Sequence, residues 1–260
     1  MALERRLDAL ALTDHDSAEG LPEALATAQG TTLAVLPGVE IAAFQADPTA
    51  PHGGHTVDIL GYLFDADHQP LQATLRAIRQ ARLNRAVRMV QKLNALGMAI
   101  TYERVREIAG SGAVTRPHVA MALREAGYVT TLQEAFDRYI DERGPAYVDR
   151  YRLTPPEAIA LLHAAGGVAV LAHPCRLPNP QALTAAYAAQ GLDGLEVYYP
   201  DHTPDFTRRM RVLARRYVLI MTGGSDFHRE VNGVIGLGRQ RVPPACVEQL
   251  MARAAEYRTS

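Results

Sequence analysis

Carboxylates and imidazoles recur in this chain directly after short apolar runs. Asp8–Leu12 runs into Thr13-Asp14-His15-Asp16, and Leu33–Leu36 into Pro37-Gly38-Val39-Glu40. Gly167–Leu171 ends at Ala172-His173-Pro174, and Gly194–Tyr198 leads to Tyr199-Pro200-Asp201-His202. Val218–Met221 ends in Thr222-Gly223-Gly224-Ser225-Asp226-Phe227-His228. Nitrogen and oxygen donors without thiolates suit Mn²⁺, Fe²⁺ or Zn²⁺. More donors than one ion needs point to two or more ions. Two ions about 3.5–4 Å apart clamp an in-line phosphoryl displacement, and one of them acidifies a bound water. A single His or Asp at a helix start is more often a cap or a surface residue, but five strand ends so equipped form a pattern.

That pattern needs a scaffold that gathers residues from 15 to 228. Read as strands, the five runs and Val57–Tyr62 alternate with helical stretches (Leu21–Ala28, Pro155–Ala165, Pro180–Gln190, Thr207–Arg216), as parallel βα units do. In a parallel barrel the C-terminal strand ends share one face, where active sites lie. Residues 69–150 break the rhythm with helix after helix (Leu71–Leu96, Tyr102–Ala109, Arg116–Ala126, Thr131–Ile140) and read as an insertion between barrel parts 1–68 and 151–260.

Inside the insertion, Thr115-Arg116-Pro117-His118 places Arg116 and His118 at a helix N-terminus, with Thr115 as cap. Such an end binds phosphate through free N–H groups and a guanidinium, or is an ordinary capped helix. Other groups read more plainly. Asp16 with Ser17 could cap the following helix. His163, amid Leu161 and Leu162, reads as structural, and His52 and His68 as solvated loop residues. Glu196 lies within a strand, either near the metals or as an interior carboxylate paired with a cation.

Composition sets broad limits. The 260 residues are 48% hydrophobic and 21% charged, ordinary for a folded globular chain, and the net charge of -1 argues against binding nucleic acid through bulk charge. Cys175 and Cys246 form no CxxC pattern and no disulfide framework, which fits a reducing cytoplasm. No apolar run approaches the roughly 18 residues of a membrane span, and the first residues lack a signal-peptide core.

The strand-end pieces Leu-Asp-Ala-Leu-Ala-Leu-Thr-Asp-His-Asp, Pro-Gly-Val-Glu-Ile, Asp-Ile-Leu-Gly-Tyr, Thr-Arg-Pro-His-Val-Ala, Pro-Ala-Tyr-Val, Leu-Ala-His-Pro and Gly-Ser-Asp-Phe-His occur in this order along essentially the whole chain. Together they resemble the PHP (polymerase and histidinol phosphatase) phosphoesterases, in particular the branch acting on nucleoside 3′,5′-bisphosphates and on short RNA from the 5′ end. The resemblance implies an α/β fold, a TIM-like distorted (β/α)7 barrel with a helical insertion that caps the substrate. It implies metal ligands at His15, Glu40, His173, Asp226 and His228, with Asp14 and Asp16 orienting their neighbour by hydrogen bonds. It implies that Arg116 and His118 contact substrate phosphate and that His202 lies near the metals or substrate. Two or three divalent ions are expected, Mn²⁺ first, with Fe, Zn or Mg as alternatives. For proton delivery to the leaving oxygen, His202 and His228 are both candidates.

Two departures from the family pattern stand out. Asp58 precedes Ile-Leu-Gly-Tyr where many relatives carry a ligating His. An Asp there still offers oxygen and favours harder ions, whereas His55, three residues away on a strand, would face the other side. The strand bearing a His-x-His motif, with which family members begin, has no counterpart. Ala2–Arg6 read as the last turn of a helix, so the expectation is a start upstream of Met1. The barrel as given would then lack its first strand and expose strand edges prone to self-association. The expected partners are a small phosphate ester or a short oligonucleotide, with no membrane and no stable duplex binding. The alternatives are a histidinol-phosphate or other small-molecule phosphatase of the same superfamily, or a truncated, inactive metal-binding module.

Overall fold

The structure, a computed structural model, describes residues 1–50, 53–110, 114–149, 151, 153–228 and 236–259. The chain forms two compact units, one of Met1–Leu75 with Leu153–Ser260, the other of Arg76–Arg152.

The first unit is built on six strands in the order β1-β2-β3-β4-β5-β6: Ala9–Leu12, Ala34–Ala46, Gly54–Tyr62, Val168–Leu171, Gly194–Tyr198 and Ile220–Gly223. Neighbours are parallel except around β3, which runs antiparallel to both β2 and β4. This corrects the expectation of a uniformly parallel set. Reversal puts the start of β3 beside the ends of the others, so Ile59 pairs with Leu171 and the Asp58 carbonyl accepts from Ala172 N at 3.1 Å. β2 is also far longer than the apolar run Leu33–Leu36. It continues through Pro37-Gly38, past the end of that run, because β3 folds back along it from Gly38 to Ala46. Gly38 is required there. A Cβ would meet the Leu12 carbonyl oxygen at 2.5 Å, so only glycine lets β2 pass β1 at that point.

Helices α1 (Leu21–Ala28) and, numbered in chain order, α6 (Pro155–Ala164), α7 (Pro180–Ala188), α8 (Pro204–Arg216) and α9 (Ala245–Thr259) belong to this unit. Their starts carry local signals. Thr154 and Glu157 form a capping box, Asn179 accepts from Ala182 N, Thr203 accepts from Phe206 N, and a proline opens each of α6, α7 and α8. Val218, expected in a strand, instead turns the chain out of α8 with φ 55 and is 82% exposed, so β6 starts later, at Ile220. Helix α9, absent from the sequence expectation, buries Cys246, Leu250 and Ala254, spaced four apart on one face. Ala2–Arg6 form hydrogen-bonded turns rather than a helix. Between the sheet and helices lie Val39, Ile41, Ile59, Val170, Leu195 and Val197, all fully buried.

The second unit is helical: most of α2 (Gln69–Ala95), then α3 (Tyr102–Ala109), α4 (Arg116–Glu125) and α5 (Leu132–Ala135), the last running on as a π-helical turn Phe136–Ile140. Met89, Leu93, Val105, Val119, Leu123 and Ile140 fill its own core. No helix among the described residues is long and apolar enough to cross a membrane.

Candidate metal centre

β1 and β2 do not part at Leu12. His15 forms one further parallel bridge with Glu40, through Asp16 N to the Glu40 carbonyl at 2.8 Å and Glu40 N to the Asp14 carbonyl at 3.1 Å. The two side chains therefore project together, with His15 Nε2 3.6 Å from Glu40 Oε2. β3 adds Asp58, and one donor atom from each of His15, Glu40 and Asp58 lies within 4.8 Å of the others. From the end of β4, His173 Nε2 reaches Glu40 Oε1 at 3.0 Å and Asp58 Oδ2 at 3.6 Å. Four strand-borne groups separated by up to 158 positions of sequence thus meet at one point.

The electrostatics of this point call for a cation. Glu40 is 5% exposed, and no lysine or arginine is among its described ion-pair partners. Burial, and then the charge of Glu40, push the Asp58 carboxyl up to about 6. Burial opposes a charge on His173, but its hydrogen bond to Glu40 and the charge of Asp58 outweigh that and raise its pKa. Asp58 Oδ1 and His173 Nδ1 are buried with no hydrogen-bond partner among the described residues. Orphaned donors beside clustered carboxylates and imidazoles fit a divalent ion of the Mn²⁺, Fe²⁺ or Zn²⁺ kind.

A second group lies at the ends of β5 and β6. Asp226 Oδ2 accepts from the Tyr199 hydroxyl at 2.8 Å and is 3.5 Å from Arg176 Nη2. His228 is exposed, with Nδ1 2.9 Å from the Asp226 carbonyl and 3.6 Å from its carboxylate. His202 is buried against Tyr199 and Phe206, at ring separations of 5.3 and 4.6 Å. Its Nδ1–H donates to the Val197 carbonyl at 2.9 Å, so the lone pair is on Nε2, which has no partner among the described residues. Burial lowers its pKa.

The flanking residues behave less simply than the sequence implied. Asp16 is fully buried and its carboxylate accepts from Ala42 N at 3.0 Å, clamping β2 rather than capping α1, whose N-cap is Gly20. Asp14 is exposed and meets Glu40 through its backbone. His55 pairs with Gln45 beside the turn that closes the β2–β3 hairpin, three residues before Asp58. His68 Nδ1 accepts from Leu71 N and caps α2. His52 lies outside the described residues.

In the helical unit, Arg116 stands 3.4 Å from the Asp141 carboxylate and over the Phe136 ring, while His118 Nδ1 accepts from Thr115 N at 3.0 Å in a capping box. The capped-helix reading thus describes Thr115–His118 as they stand.

One group, Glu196, was left between two readings by the sequence, and two, Arg176 and Tyr199, escaped sequence reasoning. Glu196 Oε2 accepts the His173 backbone N–H at 2.7 Å, and burial pushes Glu196 up to about 7. It pairs with no described cation, contrary to one of the two readings offered for it. Arg176 sits just after the Leu-Ala-His-Pro motif, so reading two residues further would have found it. Tyr199, in the Tyr-Pro-Asp-His piece, carried no signal. Backbone strain also collects here. Asp16, His173 and Asp226 have φ of 52, 22 and 46, a region non-glycine residues rarely occupy and one that clusters at functional sites.

No family model matches the chain. It is 33% identical over 243 residues to the 3′,5′-nucleoside bisphosphate phosphatase of Chromobacterium violaceum, covering 91% of this chain and 83% of the relative. It is 32% identical over 253 residues to the 5′-3′ exoribonuclease Rnm of Salmonella typhimurium, covering 95% and 84%. Among solved structures, a Bifidobacterium adolescentis protein assigned as a metal-dependent phosphoesterase superposes with a TM-score of 0.72 at 32% identity, over 97% of this chain and 88% of that one. These relatives are hydrolases of phosphate esters, the chemistry for which a buried cluster of carboxylates and imidazoles is suited. Similarity of this extent across nearly the whole chain shows that it belongs to the PHP-type family of metal-dependent phosphoesterases.

Proposed function

We propose that this chain hydrolyses phosphate esters of nucleotides, taking a nucleoside 3′,5′-bisphosphate or the phosphorylated 5′ end of a short RNA. The observation that carries the reading is the cluster of His15, Glu40, Asp58 and His173, a buried and a partly buried carboxylate that meet imidazoles and no lysine or arginine among their described ion-pair partners. In this reading those four residues, with Asp226 and His228, hold two or three divalent ions, Mn²⁺ foremost, and the strands belong to a TIM-like barrel whose mouth they line. Such ions, when bound, supply an activated water and neutralise charge developing on the phosphoryl group.

The chain's own residues supply the rest. Glu196 positions His173 through its backbone N–H. His202, its Nδ1–H donated to the Val197 carbonyl, turns Nε2 to the site and is one candidate for proton delivery to the leaving oxygen. His228, exposed beside the Asp226 carboxylate, is the second candidate for that role in any state in which it is not holding an ion. Arg116 and His118 contribute to phosphate binding in this proposal, and Arg116 exchanges Asp141 for the phosphate. Arg176, a guanidinium 3.5 Å from Asp226, is a further phosphate contact.

The test is phosphate release from adenosine 3′,5′-bisphosphate with added Mn²⁺, with and without a chelator, for the wild type and Glu40→Gln. Chelator-sensitive turnover that the substitution lowers at least about tenfold is expected. Turnover indifferent to both would sink the reading.

A further inference from the structure

One buried side chain joins the two groups of candidate ligands. Directly after β5, Tyr199-Pro200-Asp201-His202 closes a β-turn, in which the His202 N–H donates to the Tyr199 carbonyl at 3.1 Å. Pro200 takes the second place, where the fixed φ of proline suits a turn. The ring of Tyr199 lies 5.3 Å from that of His202 and 5.8 Å from that of His173. At 3% exposure it is held in one orientation by packing. Its hydroxyl donates to Asp226 Oδ2 at 2.8 Å. Tyr199 thereby meets His173 in the first group and Asp226 in the second.

Asp226 depends on such a partner. It stands past the end of β6 with a φ of 46, and its carboxylate faces two other described groups. Arg176 Nη2 is 3.5 Å from Oδ2, and His228 Nδ1 is 3.6 Å from Oδ1. Neither is an anchor. The Arg176 side chain is 54% exposed, faces Asp201 at 3.8 Å as well, and itself lies over the Tyr199 ring at 5.4 Å. His228 is exposed and turns its Nδ1–H to the Asp226 backbone carbonyl at 2.9 Å. The rigid donor to the carboxylate is therefore the Tyr199 hydroxyl. It engages Oδ2 and leaves Oδ1, which has no hydrogen bond among the described residues.

We propose that Tyr199 is a positioning residue, whose hydroxyl holds Asp226 so that Oδ1 is the oxygen left for an ion and whose ring ties that carboxylate to His173. The proposal rests on the reading of Asp226 and His228 as metal ligands and adds the residue that orders them. A carboxylate pinned through one oxygen has less freedom to lose when an ion arrives, which is how groups behind a ligand raise metal affinity. Phenylalanine at 199 would keep the ring contacts and remove the one hydrogen bond, so the two parts of the role are separable.

The experiment titrates the full chain, stripped of metal, with Mn²⁺ by calorimetry, and follows thermal unfolding of the same proteins in EDTA. The variants are Tyr199→Phe, Glu40→Gln and, as a control one residue away and part-buried, Tyr198→Phe. The wild type is expected to bind Mn²⁺ in two affinity classes. Tyr199→Phe should weaken one class about 10–100-fold and leave the other unchanged, Glu40→Gln should do the converse, and Tyr198→Phe should alter neither. The midpoint of Tyr199→Phe in EDTA should match that of the wild type. A merely structural role would instead lower that midpoint and weaken both classes together, and this result would overturn the proposal. Wild-type Mn²⁺ binding by Tyr199→Phe would overturn it alone, leaving the metal centre standing. Failure of the wild type to bind Mn²⁺ at all would overturn it together with the metal-centre reading.

Discussion

A carboxylate largely withdrawn from water beside a second one resists ionising unless a positive charge joins it, and that is the condition of Asp58 next to Glu40. What surrounds such a pair decides how firmly an ion is held. Glu196 touches no donor atom of the cluster, yet it fixes the backbone of His173 at a φ of 22 that the residue would not choose alone. Losing that acceptor should let His173 relax and loosen the ion. Glu196→Ala is expected to weaken Mn²⁺ binding by about 10–100-fold, and Glu196→Gln, which keeps an acceptor oxygen, by much less. Titration calorimetry on the metal-free protein measures both, and equal affinities for Ala and wild type would refute the positioning role. His15, Glu40 and His173 were legible because each follows an apolar run within a motif. Glu196 was singled out but left between two readings, since a hydrogen bond to a backbone 23 residues away leaves no local trace.

At the scale of elements, the end of the sheet opposite the metal centre is held by a single carboxylate. Asp193, just before β5, accepts from Ala169 N at 2.9 Å, from His163 Nε2 at 2.8 Å and from the Tyr257 hydroxyl at 2.7 Å, with Arg253 at 3.4 Å. The His163 and Tyr257 rings stack at 4.2 Å, so α6, β4 and α9 converge on one side chain that is 1% exposed. Asp193→Ala would strand these donors and is expected to cost about 3–5 kcal/mol, with Asp193→Asn costing less. Urea unfolding reads this as a lower midpoint, and a loss below about 1 kcal/mol, the value of a surface pair, would contradict the argument. The structural role assigned to His163 from its apolar neighbours agrees with its placement. Its partner could not be foreseen, because a helix and a loop 30 residues apart meet only in the folded chain.

For the molecule as a whole, an ion that binds the folded state and not the unfolded one must raise stability. At a free Mn²⁺ concentration one hundred times its dissociation constant the gain is about 2.7 kcal/mol. For a chain of this size that corresponds to a rise in Tm of roughly 5–10 °C. Differential scanning calorimetry with Mn²⁺ and with EDTA should show the difference, and Glu40→Gln should diminish it. A Tm unmoved by Mn²⁺ at saturating concentration would argue that the cluster is not a metal site.

The sequence by itself determined the mixed α/β class, five of the six strands to within a few residues, the helical stretch in mid-chain and the phosphoesterase family, because local periodicity and motif order are properties of neighbouring residues. Only the tertiary structure decided how these pieces meet. The reversal of β3 places Asp58 beside Glu40 and His173, and the length of β2 follows from its pairing with β3 rather than from its own residues. Asp16 fastens a strand that lies 26 residues away. Each of these depends on hydrogen bonds between segments far apart in sequence, which periodicity along one segment does not encode.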